Sequence, residues 1–300
     1  MKIDVAIQSY KKPESLIYTL LSLKKVSGQH IDTIYIQDDK SNDGSIECFK
    51  SAYFTEAMSP IKIVVKENSE KSLISKTMYT SGMKAKSLKF WKHAYSSDDI
   101  RYQYAINNTD KKYLLLIHDD ILFNDDIVEK YLDSITSKNN CCIVGDLGQC
   151  WICPNNEKYA CTPSKILAGV KPKLWPRNFR KMKKVPLYRL RRDCRINEWC
   201  CLIDVDVARS IAQKYNVYFG NYQSGGDVGA YWFDTIVKLN YEFDDPVAEC
   251  RDEYYLHCWQ GHSGHSVWVD QGQGKSIYDR QMIIDKLIKD FNFDFNKIRT

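Results

Sequence analysis

The sequence predicts an α/β fold: a mostly parallel central sheet with helices on both faces. Three observations lead there. Short apolar runs rich in Ile, Val and Leu alternate with segments whose apolar residues recur at helical spacing, as βα units require. Several of those runs end in polar or acidic residues, where an open parallel sheet presents its ligand crevice. The chain has 300 residues, 44% of them hydrophobic and 27% charged, which is ordinary globular composition with no run of about 18 apolar residues to span a bilayer.

The elements follow in order. "KIDVAIQ" (2–8) is a strand, and Pro13 opens a helix over "ESLIYTLLSLKK" (14–25). "DTIYIQ" (32–37) is a second strand that runs into the turn formers "DDKSNDGS", and a short helix is expected from Ser45 to Tyr53. "IKIVV" (61–65) and "YLLLI" (113–117) are the third and fourth strands; "DDIVEKYLDSI" (125–135) is a helix and "CCIVG" (141–145) a fifth strand. Residues 69 to 100 interrupt the alternation with a basic, aromatic excursion ending near the helix-like "YQYAINN". Further on, a strand is expected at 199–203, a helix from about 205, and helices over 227–240 and 277–291. No low-complexity linker divides the chain. It reads as one catalytic domain over 1–300: a first half at 1–146, an elaborated second half at 147–270, and a C-terminal helix at 271–300.

Three strand ends carry the polar clusters: Gln8-Ser9-Tyr10, Asp38-Asp39 and His118-Asp119-Asp120. Neighbouring parallel strands would bring them to one crevice. From spacing alone, the two aspartates after "YLLLI" suit either a turn cap or a cation site, and Asp38-Asp39 suits either a turn or a ligand contact.

Taken in order, "VAIQSYKKPESLIYTLLSL", "IDTIYIQDDKSNDGS" and "KYLLLIHDDILFNDDIVEKYL" resemble the N-terminal half of family-2 glycosyltransferases of the GT-A fold, over roughly residues 3–135. A weaker match continues through "GGDVGAYWFDTIVKLNYEF" and "HCWQGHSGHS". The resemblance implies a nucleotide-sugar donor (UDP-, GDP- or dTDP-linked), Mn²⁺ or Mg²⁺, and displacement with inversion at the anomeric carbon. It implies that Gln8, Ser9, Tyr10 and Glu14 lie around the nucleotide and that Asp39, beside Asp38, accepts a hydrogen bond from the base. His118-Asp119-Asp120 then occupies the family's Asp-x-Asp site, with Asp120 on the metal-binding aspartate. His118 stands where the family has its first carboxylate, and Gly226-Asp227 where Glu-Asp is common.

The chemistry fits these residue types. Mg²⁺ and Mn²⁺ take hard oxygen ligands, and phosphate oxygens with water complete the shell, so few need come from protein. A bound cation offsets charge on a departing diphosphate. An acceptor hydroxyl needs a base within hydrogen-bond reach. Asp227, after Gly225-Gly226 and at a helix start, is the candidate base; it equally suits an N-cap. Glu198 is the alternative base or an acceptor contact. His257, His262 and His265 are the candidates to complete the metal site, with His257 favoured. Arg101, just before the helix-like "YQYAINN", suits either a donor-phosphate contact or a solvated surface charge.

Between 165 and 195 twelve Lys and Arg stand against one acid, Asp193, with Trp175, Phe179, Leu187, Tyr188 and Leu190 interleaved. This segment suits peripheral contact with an anionic membrane, or closure over a donor or lipid-linked diphosphate; a solvated basic loop is the alternative. Nucleic acid is not expected, since no recognised binding motif accompanies the charge. The eleven cysteines, with no secretion signal at the opening residues, point to thiols in a reducing cytosol. Cys150 and Cys153, with Cys161 nearby, have metal-ligand spacing, and a fourth thiolate from Cys194, Cys200 or Cys201, with Cys200 taken as the candidate, would make a structural Zn²⁺ site; reduced structural cysteines are the alternative.

The expected activity is therefore an inverting, metal-dependent glycosyltransferase acting on a glycan or lipid-linked acceptor in surface polysaccharide synthesis, at the cytoplasmic face. A non-catalytic nucleotide-sugar-binding scaffold of the same fold is the alternative. A sugar-nucleotide nucleotidyltransferase ranks below both, because "IQSYKKPES" lacks a glycine-rich phosphate loop.

Overall fold

The computed structural model describes residues 1–69, 97–147, 195–220, 228–258 and 279–299. Seven strands form the main sheet: β1 (Ile3–Ser9), β2 (Ile31–Asp38), β3 (Lys62–Glu67), β4 (Tyr113–Ile117), β6 (Cys141–Leu147), β7 (Ile196–Asp204) and β8 (Glu242–Asp244). Their spatial order is β3-β2-β1-β4-β7-β6-β8. The pairs β1–β2, β1–β4, β2–β3 and β6–β8 are parallel; β7 alone is reversed, pairing antiparallel with both β4 and β6. A separate two-stranded antiparallel ladder joins β5 (Ile121–Phe123) to β9 (Tyr255–His257).

Helices cover both faces, which is the fold class expected. The helices are α1 (Pro13–Ser27), α2 (Ser45–Lys50), α3 (Ala52–Met58), α4 (Gln103–Asn108), α5 (Ile127–Ser137), α6 (Val205–Tyr215), α7 (Ala230–Lys238), α8 (Arg251–Tyr254) and α9 (Arg280–Phe291). One core packs α1, α2, α3, α5 and α9 against the sheet through residues such as Leu16, Phe49, Phe54, Tyr131 and Ile283. The other packs α4, α6 and α7 through Ile106, Ile211, Trp232 and Phe233. β4 shows why its sequence is unbroken aliphatic: Leu115 and Ile117 face the first core, Leu114 and Leu116 the second. A strand covered on both sides gains from apolar residues at every position, roughly 1.5–3 kcal/mol for each side chain fully buried.

Several boundaries differ from the sequence reading. The helix expected over 45–53 is two helices broken at Ser51, whose extended backbone (φ −62°, ψ 143°) ends α2 while its Oγ accepts from Phe54 N and starts α3. α5 begins two residues later than expected because Asp126 is its cap, accepting from Glu129 N. β7 is longer than the 199–203 run, since Ile196 still pairs with Leu147 of β6. β5, β8, β9 and α8 are three or four residues long, too short to carry a periodicity. The expected excursion at 69–100 lies mostly outside the described residues. The C-terminal helix docks on α1: Tyr18 Oη donates to Asp290 Oδ2 at 3.0 Å and its ring meets Phe291 edge-on. Among the described residues, no helix is long and apolar enough to cross a membrane.

Candidate functional site

The segment after β4 is pinned from two sides. His118 N donates to Trp199 O at 2.9 Å, extending the β4–β7 ladder by one rung. On the other side α1 offers three hydroxyls at helical spacing. Ser15 Oγ donates to Asp119 O at 2.6 Å, Thr19 Oγ1 accepts from Ile121 N at 3.0 Å, and Ser22 Oγ accepts from Phe123 N at 3.1 Å. These polar residues in an otherwise apolar helix face satisfy backbone groups that the short β5 strand leaves unpaired.

β5 then pairs with β9 so that Ile121 stands opposite His257, and Cys258 N donates to Asp120 O at 2.9 Å. This ladder carries a histidine across 137 residues of sequence to Asp120: His257 Nε2 lies 2.9 Å from Asp120 Oδ1. His118 Nδ1 lies 3.9 Å from the same oxygen. One ligand atom from each of His118, Asp120 and His257 falls within 4.8 Å of the other two. The Trp199 ring lies against His257, centroids 4.8 Å apart and 35° from parallel, which fixes the imidazole plane. Neighbouring ligands of a divalent cation at about 2.1 Å would be roughly 3 Å apart; His257 and Asp120 stand at that spacing, and His118, at 3.9 Å, would have to move closer to complete the set.

Without a metal, His257 and Asp120 form an ion pair, which a cation would have to replace. Burial would raise the Asp120 carboxyl, but His257, Lys12 and His118 outweigh it and hold the group well below the usual carboxylate range. Burial would lower His257, and the facing Asp120 carboxylate raises it instead. Each stabilises the other's charged form, so a buried anion is held ready at a strand tip.

Lys12, which the sequence reading passed over, is 6% exposed and places Nζ 3.0 Å from Asp119 Oδ1. Desolvation opposes its charge, but Asp119 and Asp120 raise its pKa. It precedes Pro13 at the start of α1, where the helix dipole disfavours a cation; that mismatch was its only signal in the sequence. Glu198 lies on β7 beneath His118, with Oε1 3.6 Å from His118 Nε2 and 3.7 Å from an Arg101 guanidinium nitrogen. Its other oxygen is 3.7 Å from Arg195 Nε. Burial would raise Glu198, but His118 and the two guanidinium groups bring it down to about 2. Arg101 is thus engaged with a carboxylate of the protein.

The β1 and β2 tips adjoin this cluster through the β1–α1 connection: Lys11 N donates to Ser41 Oγ at 2.9 Å, while Lys12 reaches Asp119. Asp39 N donates to Ser9 O, and the Asp39 carboxylate accepts from Asn68 Nδ2 at 3.1 Å. Asp38 is spent on Ser41, accepting from its N at 2.8 Å and its Oγ at 2.6 Å; burial raises its pKa. Asn68 is held by Gln37, and Gln37 Nε2 donates onward to the carbonyls of Asp98 and Ile100. Gln8, opposite Gln37 in the β1–β2 register, has both amide atoms buried without a hydrogen-bond partner among the described residues. Tyr10 is buried, with the Lys11 ammonium 5.2 Å from its ring. Glu14 turns toward the C-terminal helix, 3.3 Å from Arg280 Nε, and burial raises its pKa.

Asp227, His262, His265, Cys150, Cys153 and Cys161 lie outside the described residues, as does the basic segment up to residue 194. Cys200 is a buried free thiol in β7 whose pKa burial pushes up.

No family model and no curated protein matches the chain. Among solved structures it is similar to a mannosyltransferase from Pyrobaculum calidifontis in complex with GDP-Man and Mn²⁺, at 10% identity over 82% of this chain and 54% of that one, TM-score 0.46. It is similar to S. aureus TarS 1-349 at 11% identity over 86% and 60%, TM-score 0.47. It is also similar to core-mannan synthase A from Aspergillus fumigatus, in a Mn/GDP form, at 14% identity over 86% and 75%, TM-score 0.43. The chain thus spans between half and two thirds of the length of the first two. Likeness this distant assigns no activity, and the functional reading rests on the side chains themselves.

Proposed function

We propose that this protein is an inverting glycosyltransferase of GT-A type that transfers a sugar from a nucleotide-sugar donor to a hydroxyl of a glycan or lipid-linked acceptor. One observation carries the reading: Asp120 and His257, far apart in sequence, meet at the carboxyl edge of a parallel sheet beside the strand tips of β1 and β2. Ligands of open α/β sheets bind at that edge.

Asp120 and His257 hold a divalent cation, Mn²⁺ or Mg²⁺, which offsets the charge that develops on the donor's leaving diphosphate. The residues around it divide the remaining work. Asp39, oriented by Asn68, accepts a hydrogen bond from the nucleotide base. Gln8, whose amide has no hydrogen-bond partner among the described residues, Ser9 and Tyr10 line the same end of β1 and contact the nucleoside. Lys12 neutralises Asp119 and keeps the anionic cluster from repelling an incoming diphosphate. Asp227 takes the acceptor proton. Glu198 is a poor base at a pKa of about 2 with three charged or ionisable neighbours, and its part is to support His118. The twelve Lys and Arg in the sequence at 165–195 suit binding to an anionic membrane or a lipid-linked diphosphate, which supports a role at the cytoplasmic surface in surface-polysaccharide assembly.

The test is a panel of UDP-, GDP- and dTDP-sugars incubated with the purified protein and Mn²⁺ or Mg²⁺, followed by release of the nucleoside diphosphate. One donor is expected to be hydrolysed slowly, with loss of about 10²-fold or more in Asp120→Ala. Donor binding without turnover, with acceptors present, would establish the scaffold reading instead.

A further inference from the structure

We infer that the cation site is built for a first-row transition metal in preference to Mg²⁺, with His118 as a third ligand and Glu198 as the residue that positions His118. The inference rests on the metal-binding part of the proposed function and adds which ion the site selects.

The first argument is the donor inventory. Two carboxylates follow β4, yet only Asp120 faces the two imidazoles; Asp119 is engaged by the Lys12 ammonium at 3.0 Å, with side chains 7% and 13% exposed. Among the described residues the site therefore offers two imidazole nitrogens and one carboxylate oxygen. Imidazole suits Zn²⁺, Co²⁺ and Fe²⁺, whereas Mg²⁺ seeks oxygen and holds its water tightly. Lys12 adds to the bias by engaging Asp119, which takes a second carboxylate oxygen out of the donor set.

The second argument is the support behind His118. Its ring stands between two carboxylates, with Nδ1 3.9 Å from Asp120 Oδ1 and Nε2 3.6 Å from Glu198 Oε1. A ligating histidine is commonly oriented by a carboxylate on its far nitrogen. Glu198 is suited to that part because Arg195 lies 3.7 Å from its other oxygen, Oε2, Arg101 lies 3.7 Å from the Oε1 that faces the ring, and it is carried by the β7 strand. His257 is fixed independently by Trp199.

The experiment titrates metal-free full-length protein with Mg²⁺, Mn²⁺, Co²⁺ and Zn²⁺ by calorimetry, counting only the binding lost in Asp120→Ala so that cysteine sites do not contribute. Co²⁺ and Zn²⁺ are expected to bind more tightly than Mn²⁺, and Mg²⁺ more weakly than Co²⁺ by about tenfold or more. His118→Asp, which replaces a nitrogen by an oxygen donor, is expected to narrow the gap between Mg²⁺ and Co²⁺ by about tenfold. Glu198→Gln is expected to weaken Co²⁺ by about 10–100-fold and to shift the visible absorption of bound Co²⁺. Mg²⁺ affinity equal to that of Co²⁺, or a gap unmoved by His118→Asp, would overturn the inference while leaving a metal-dependent transferase standing. A folded Glu198→Gln protein with unchanged Co²⁺ affinity and spectrum would reduce Glu198 to a structural residue and overturn its assigned part. Absence of any Asp120-dependent binding would overturn the metal reading itself.

Discussion

Replacing Lys12 by methionine tests whether the buried ammonium is the counter-charge of the acidic cluster. The substitution keeps most of the apolar stem and removes the charge. At 3.0 Å from Asp119 Oδ1 and an effective dielectric of about 20, the pair attracts by roughly 5–6 kcal/mol. Desolvation of the ammonium, 6% exposed, offsets part of that gain. Breaking one partner of a buried pair typically costs about 3–5 kcal/mol, because the remaining charge is left uncompensated. Here Asp119 retains some contact with solvent, so the lower end, about 3 kcal/mol, is expected. The assay is urea unfolding of metal-free protein for Lys12→Met, Asp119→Asn and the double variant. The double variant should recover at least about 1.5 kcal/mol relative to the sum of the single losses. If Lys12→Met stays within about 0.5 kcal/mol of the parent, the ammonium is not the counter-charge and the reasoning fails.

Further outcomes follow from other contacts. Freeing Asp119 should also raise Mg²⁺ affinity in Lys12→Met, measurable by the same titration; an unchanged or lower affinity contradicts the donor inventory. Burial would raise Asp99, but Lys66 and Ser69 outweigh it and lower its pKa from 3.8 to about 2, so its stabilisation is full above 3.8 and is lost as pH falls toward about 2. Asp99→Asn should therefore cost about 1–2 kcal/mol at pH 7 after allowance for solvent screening, with the difference closing in acid-side unfolding curves. Gly220→Ala sets a Cβ against the Arg101 carbonyl oxygen, and a loss of about 1–3 kcal/mol is expected in thermal unfolding. Cys142, Cys200 and Cys201 are buried thiols whose pKa values burial raises, so they should resist a thiol reagent in the native protein and react on unfolding.

The sequence carried the sheet well where burial and pattern coincide. "YLLLI" could be read as a strand because both of its faces are covered, and the strand tips could be read because polar residues have no other reason to end such runs. What it could not show are contacts made by elements of three or four residues. The β5–β9 ladder delivers His257 to Asp120, yet "ILF" and "YLH" have no periodicity to detect. Lys12 was missed because a lysine beside proline reads as a solvated helix start, and only the fold reveals what surrounds it. Glu198 could be picked out as an acid in an apolar strand with Arg195 three residues before it, but Arg101 and His118 come from separate segments, and they decide between a base and a support. The break at Ser51 was likewise hidden, because a serine within an apolar pattern fits both a helix interior and a cap.

The central claim is that residues from the end of β4 and from β9 form one cation site. Anomalous diffraction from crystals grown with Mn²⁺ and a nucleoside diphosphate tests it most directly. The account predicts a single Asp120-dependent peak within bonding distance of Asp120 and His257, with diphosphate oxygens on its open side. A well-ordered nucleotide with its diphosphate and metal elsewhere on the sheet would contradict it.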